Sequence, residues 1–244
     1  MIQMLKRILN IFQCDEKDNS VVEKNVIDSV PVRVDRDVTS EEWSYLNGSD
    51  SNPIVVRFSW KSYETIDTFV FLLGKENKIV KKSDLIFYNS EIRRNFEGGV
   101  KTFDIEQYRN KNNWREQTFP CSDNGAIWIE TGRYDEYGDD NDCEVVHVDF
   151  REVDNSVETI LFAHVVYSSP CNPKASFGKD TNFCIHVSEK DSATGLVNVR
   201  CENLENKNIL LSCALKRKRN GWRFEFINEC INGPVQNLID MYVE

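Results

Sequence analysis

The sequence has no Cys-x-x-Cys pair, although eight cysteines are spread along it: Cys14, Cys121, Cys143, Cys171, Cys184, Cys201, Cys213 and Cys230. That spacing excludes the common zinc folds. There is no Gly-rich phosphate loop, no Gly-x-Ser-x-Gly elbow and no His-Glu-x-x-His helix, so the usual nucleotide, serine-hydrolase and zinc-protease machineries are missing. Only three histidines occur, His147, His164 and His186, each inside a strand-like run flanked by Val, Phe or Ile. They read as sheet residues rather than ligands. No run of Lys, Arg and His surrounds any cysteine, which argues against thiol chemistry on an oxyanion. Positive charge is also short: 30 Lys and Arg face 40 Asp and Glu, a net charge of -10. A phosphate-backbone partner wants a basic face, so nucleic acid is not expected.

No apolar stretch is long enough to span a bilayer. The nearest is Met1 to Phe12, where Leu5, Ile8, Leu9 and Phe12 recur at helical spacing beside Lys6 and Arg7. It reads as a short amphipathic helix packing on its own domain or on a partner, with an interfacial lipid contact as the alternative. It lacks a small-residue cleavage site. The expectation is a cytoplasmic protein with free, buried thiols. Residues 1–24 are then a helix and a charged linker, and residues 25–244 one domain.

What the chain does have is a succession of strand patterns. Ile54, Val56, Phe58 and Trp60 alternate with polar or smaller residues. Ile66 to Leu73 is apolar at nearly every position, predicting cover on both faces, with Asp67 at its start. Leu85 to Asn89 follows as a strand. The segment from about 91 to 120, with Arg93, Arg94, Lys111, Trp114 and Arg115, has no strand period and is expected to be a surface insertion with a short helix at Asp104 to Tyr108. Ala126 to Glu130 and Val145 to Phe150 are further strands.

Thr159 to Tyr167, Asn182 to Val187, Leu196 to Cys201, Asn208 to Leu215 and Trp222 to Ile227 complete the set. Gly233-Pro234 opens a closing helix with Val235, Leu238, Ile239 and Tyr242 on one side. The whole predicts an all-β, two-sheet antiparallel sandwich with a short N-terminal helix, a charged insertion and a C-terminal helix.

The most heavily charged stretch is Tyr134 to Glu144, which holds Asp135, Glu136, Asp139, Asp140, Asp142 and Glu144. Such a crowd of oxygens is costly unless water, salt or a hard cation screens it, although an exposed turn uses the same residues. Glu144 falls on the same strand face as Val146 and Val148, the inward face.

Phe71-Leu72-Leu73-Gly74, Phe87-Tyr88-Asn89-Ser90, Asp140-Asn141-Asp142-Cys143-Glu144, Ser176-Phe177-Gly178 with Asn182, and Gly221-Trp222 with Phe224 form an ordered set. In this the chain resembles the TerD-type tellurium-resistance family, from about Ile54 to Val243. The resemblance implies a β-sandwich that binds calcium at one end, in non-enzymatic cytoplasmic proteins tied to tellurite, stress and phage or colicin resistance. The family's Asp-x-Asp-Leu-Asp cluster is reduced here to Tyr63, Thr65 and Asp67, and its Gly-Asp-Asn reads Gly132-Arg133-Tyr134. The resemblance therefore implies at most one calcium, held by Asp67, Asn89, Asp140, Asp142 and Glu144, with Arg133 in place of a second ion. Two roles follow: a calcium-dependent module presenting a surface to other proteins of a stress or defence assembly, or a metal-independent scaffold using the insertion and the first helix.

Overall fold

The structure is a computed structural model that describes residues 53–62, 64–103, 118–132, 142–167, 174–191, 195–219 and 221–243. The N-terminal helix, the linker, the helix expected at Asp104 to Tyr108 and most of the acidic run lie outside those residues.

Strict alternation makes β1 (Ile54–Trp60), which buries Ile54, Val56, Phe58 and Trp60 and leaves the residues between them partly exposed. It is the centre of a five-stranded antiparallel sheet. On one side it pairs with β8 (Asp142–Val148), which in turn pairs with β7 (Ile127–Gly132). On the other it pairs with β10 (Phe183–Glu189), and that with β11 (Gly195–Cys201).

The second sheet runs β13-β12-β9-β2-β3, from β13 (Gly221–Ile231) and β12 (Ile209–Lys218) through β9 (Thr159–Val166) and β2 (Ile66–Leu73) to β3 (Leu85–Ile86). All eight residues of β9 are buried. One face packs on the first sheet, through Ile160, Phe162 and Val166. The other, with Leu161, Ala163 and Val165, lies in a second apolar cluster that includes Leu238 and Ile239 of the helix α1 (Val235–Tyr242). That double cover is why β2 and β9 read as continuous apolar runs. Val235 and Tyr242 pack against the same cluster, as helical spacing predicts. Among the described residues no helix is long and apolar enough to cross a membrane.

Two expectations are corrected. The strand expected over Leu85 to Asn89 stops at Ile86, because the Ser90 hydroxyl takes the Phe87 N–H at 3.0 Å and Ser90 N–H bonds back to Phe87 C=O at 2.9 Å. A side chain that offers the backbone a local partner ends the ladder. The insertion, in turn, is partly strand: β4 (Ile92–Asn95), β5 (Val100–Thr102) and β6 (Thr118–Pro120) form a small antiparallel sheet in the order β5-β4-β6. Arg93 is not a surface charge but is buried, donating to Thr118 Oγ1, Thr118 C=O and Tyr88 C=O at 2.8–2.9 Å. Its charge hid the strand period, since an inward arginine counts as polar in the pattern.

The small sheet is pinned to the sandwich by Arg94, whose guanidinium lies 4.1 Å over the Trp128 ring. Gly125, with φ +73, turns the chain into β7 beside Val100. A Cβ there would fall 2.8 Å from a Val100 methyl, so Gly125→Ala is expected to cost roughly 1–3 kcal/mol from backbone strain and overpacking. Urea unfolding of that variant checks it; an unchanged midpoint would show that the small sheet is not held in this register.

Candidate functional site

The acidic end of the sandwich is built where β8 of one sheet faces β2 of the other. On β8 the inward positions are Glu144, Val146 and Val148, paired on β1 with Phe58, Val56 and Ile54. Two of the three are ordinary core residues; the third is a carboxyl that is only 5% exposed. On β2 the neighbouring strand β3 pairs only with Val70 and Phe71, so the edge of β2 is open at Thr68. Glu144 closes it, its Oε2 accepting the Thr68 N–H at 2.8 Å. A buried N–H needs an acceptor, and this one comes from the opposite sheet.

Asp67, one residue earlier, adds its negative charge to the same place. Burial first, and then Asp67, raises the Glu144 carboxyl to about 8, against hydrogen bonds from Thr68 that work the other way. Among the described residues no lysine, arginine or histidine influences Glu144. Tyr167 is raised well above the ordinary phenol value by burial and then by the charges of Asp67, Tyr88 and Glu144. Its ring meets Tyr88 edge-on at 6.2 Å. Thus the structure brings Asp67 and Glu144 together, with Tyr88 and Tyr167 as their wall.

Asn89 follows Tyr88 and is buried at 2% exposure, lining a cavity with Leu85, Phe87 and Cys121. Asp142 opens β8 opposite Trp60, two residues ahead of Glu144 and so at the same end of the same strand. Asp140 and Arg133 lie outside the described residues.

Behind Glu144 a polar chain crosses the core. Thr68 Oγ1 lies 3.1 Å from His164 Nδ1, and His164 Nε2 lies 2.8 Å from Ser212 Oγ. Ser212 occupies a register shift in β12, where the strand steps from Leu211 to Cys213 against adjacent residues of β9. The extra residue turns its hydroxyl to the histidine. Burial holds His164 down to about 3, so it is a neutral hydrogen-bonding core residue, its ring tilted against Phe58 and Phe183 at 4.4 and 4.5 Å. His147 pairs with Glu130 at 2.9 Å and stacks on Trp128. Both agree with the reading of the histidines as sheet residues. The missed members, Thr68, His164 and Ser212, carried a signal only as polar interruptions in otherwise apolar strands.

The six described cysteines are free. Burial pushes Cys121 and Cys213 up to about 12 and Cys230 to about 11, which keeps these thiols neutral.

Two observations bear on a cation. Asp67 and Glu144 offer hard oxygen donors, and the buried Glu144 charge is costly unless offset. The indole N–H of Trp60 is buried without an acceptor, at the register position opposite Asp142. A buried donor of this kind is normally taken by an oxygen, from a carboxylate or a water. Among the described residues no group of three or more His, Cys, Asp or Glu side chains is placed to hold a metal ion.

Fold and site together define a two-sheet antiparallel sandwich with a carboxylate pair where its sheets meet at one end. The family model for the TerD domain matches residues 45–242, and the chain belongs to the TerD-type tellurium-resistance family. No curated protein matches the chain.

Proposed function

We propose that this chain is a non-enzymatic calcium-binding protein of a cytoplasmic stress or defence response. Its carboxylate end would bind the ion and present the acidic segment to other proteins. The observation that carries this reading is the meeting of Asp67 and Glu144 across the two sheets, with no basic group among the described residues influencing Glu144. Asp67 and Glu144 would hold the ion, with Asn89, Asp140 and Asp142 as the remaining expected donors. A bound calcium supplies the positive charge that lets Glu144 stay ionised at neutral pH. Thr68 fixes the orientation of Glu144, and Tyr88 and Tyr167 shield the pair from water.

Isothermal titration tests the proposal. Calcium should bind the native chain, and Asp67→Asn or Glu144→Gln should weaken it by about tenfold or more, since ligand charge sets affinity in such sites. The absence of both heat and a thermal shift at millimolar calcium would sink the metal half of the reading. The small sheet β5-β4-β6 favours a second role in that event, a metal-independent scaffold. Phe96, 71% exposed near the tip of its hairpin, would be the contact residue.

A further inference from the structure

Although the chain is acidic overall, Lys216, Arg217, Lys218, Arg219 and Arg223 crowd into the hairpin that joins β12 to β13. Strand register puts that hairpin at the far end of the sandwich from the carboxylate pair. Lys216 lies opposite Thr159 of β9, Thr159 lies opposite Leu73, and Leu73 is the last residue of β2, whose second residue is Asp67. The proposed calcium site makes no use of this hairpin.

Most of its charge is not neutralised locally. Lys216 Nζ meets Glu225 at 2.7 Å. Arg217 turns toward the loop after β8, donating to the carbonyls of Val153, Asp154 and Val157, with its charge set against Glu158 and Asp154. Lys218, Arg219 and Arg223 are exposed and, among the described residues, have no ion-pair partner. Strand alternation sets Lys216, Lys218 and Arg223 on the face turned away from the buried Leu215, Trp222 and Phe224. Lys216 and Arg223 are direct register partners. Like charges placed opposite each other on neighbouring strands are destabilising, and an anion seated beside them relieves the repulsion.

A phosphate polymer or an anionic bilayer would also meet the rest of a chain whose net charge is -10, so a short acidic polypeptide fits the hairpin better. The chain carries one, in Asp135, Glu136, Asp139 and Asp140. Its two ends are held at the opposite pole, where Gly132 of β7 pairs with Cys143 of β8. Residues 133–141, looped out and back, extend at most about 18 Å from there. The hairpin lies a strand length of about 20 Å away and at the diagonally opposite edge, since β8 faces β2 while β13 is the far strand of that sheet. The segment therefore falls short of its own hairpin and is free to meet another. We propose that the β12-β13 hairpin docks the acidic segment of a second copy of this chain, in a head-to-tail contact. The two surfaces differ, so the contact is heterologous and does not close as a two-fold dimer. It needs no metal, and Asp135, Glu136 and Asp139 stand outside the proposed ligand set.

Sedimentation velocity of the full chain, in EDTA and a thiol reductant, tests the contact. In about 20 mM salt the average mass should rise above the monomer with protein concentration, and about 300 mM salt should weaken the association tenfold or more, because exposed charges are screened. A variant carrying Lys218→Glu, Arg219→Glu and Arg223→Glu should stay monomeric, and so should one carrying Asp135→Asn, Glu136→Gln and Asp139→Asn. Mixed in equal amounts, the two variants should pair one to one and stop there, since one keeps only the acidic segment and the other only the hairpin. That pairing also shows that both are folded. A native chain that stays monomeric in low salt overturns the proposal. So does a hairpin variant that associates as the native chain does, or a mixture that fails to pair. The measurement is made without calcium, so the calcium reading can fail while this result stands.

Discussion

In EDTA, the native chain is expected to lose stability relative to its Glu144→Gln variant as the pH is raised from about 5 to 9. The Glu144 carboxyl is raised from 4.5 to about 8 in the folded protein, by burial and then by Asp67. The unfolded chain releases this proton above 4.5, whereas the folded chain keeps it. Stability from a raised acid is fully present below the unfolded value and is lost as the pH climbs through the folded one. The loss is on the order of 4 kcal/mol at most, given about 1.4 kcal/mol for each tenfold change.

His164 has the opposite sign. Burial lowers it from 6.5 to about 3, so its contribution is complete above 6.5 and lost as the pH falls toward 3. Between about 4.5 and 6.5 the two slopes cancel. Urea unfolding of both chains across this range isolates the Glu144 part. If calcium binds as proposed, adding it at pH 9 should stabilise the native chain more than Glu144→Gln. Parallel curves for the two chains would show that Glu144 is not held protonated.

Phe58→Ala should give the other large effect. Phe58 is fully buried in β1, packing on Phe162, His164 and Phe183 at 5.4, 4.4 and 6.2 Å between rings. Truncation removes its transfer energy and opens a void between the sheets, a cost of about 3–5 kcal/mol. Phe58 is also the register partner of Glu144, and facing side chains on adjacent strands stand within contact range. Water entering the void would hydrate the carboxyl. The alkaline loss of stability should then shrink in Phe58→Ala relative to the native chain. A destabilised variant with an undiminished alkaline loss would mean that burial by Phe58 is not what raises Glu144.

Much of the sandwich was legible because period-two alternation is a local property. Ile54 to Trp60 needed no partner to declare its inward face, and Val235 to Tyr242 declared its own at helical spacing. The continuous run Ile66 to Leu73 announced two covered faces, without saying that the first sheet would cover one and α1 the other. The insertion was misread where Arg93, an inward cation satisfied by carbonyls, broke the pattern. Leu85 to Asn89 was overextended because a seryl side chain bonding to its own backbone leaves no mark on hydropathy. For the site, the family resemblance supplied Asp67, Asn89, Asp140, Asp142 and Glu144 as a set, and the strand face of Glu144 followed from Val146 and Val148. The roles of Thr68, His164 and Ser212 did not follow, since each depends on a neighbour 48 to 96 residues away.

By itself the sequence determined which residues lie on the inner faces of the sandwich, because burial in a strand is written in the spacing of adjacent side chains. It also determined that acidic residues gather next to β8. Only the tertiary structure decided that Glu144 reaches across to the open edge of β2, joins Asp67 and is kept from water. The same holds for the cavity that forms where β3 and the inserted sheet abut. Charge, desolvation and hydrogen-bond geometry act through space, and the groups that set them here come from strands distant along the chain.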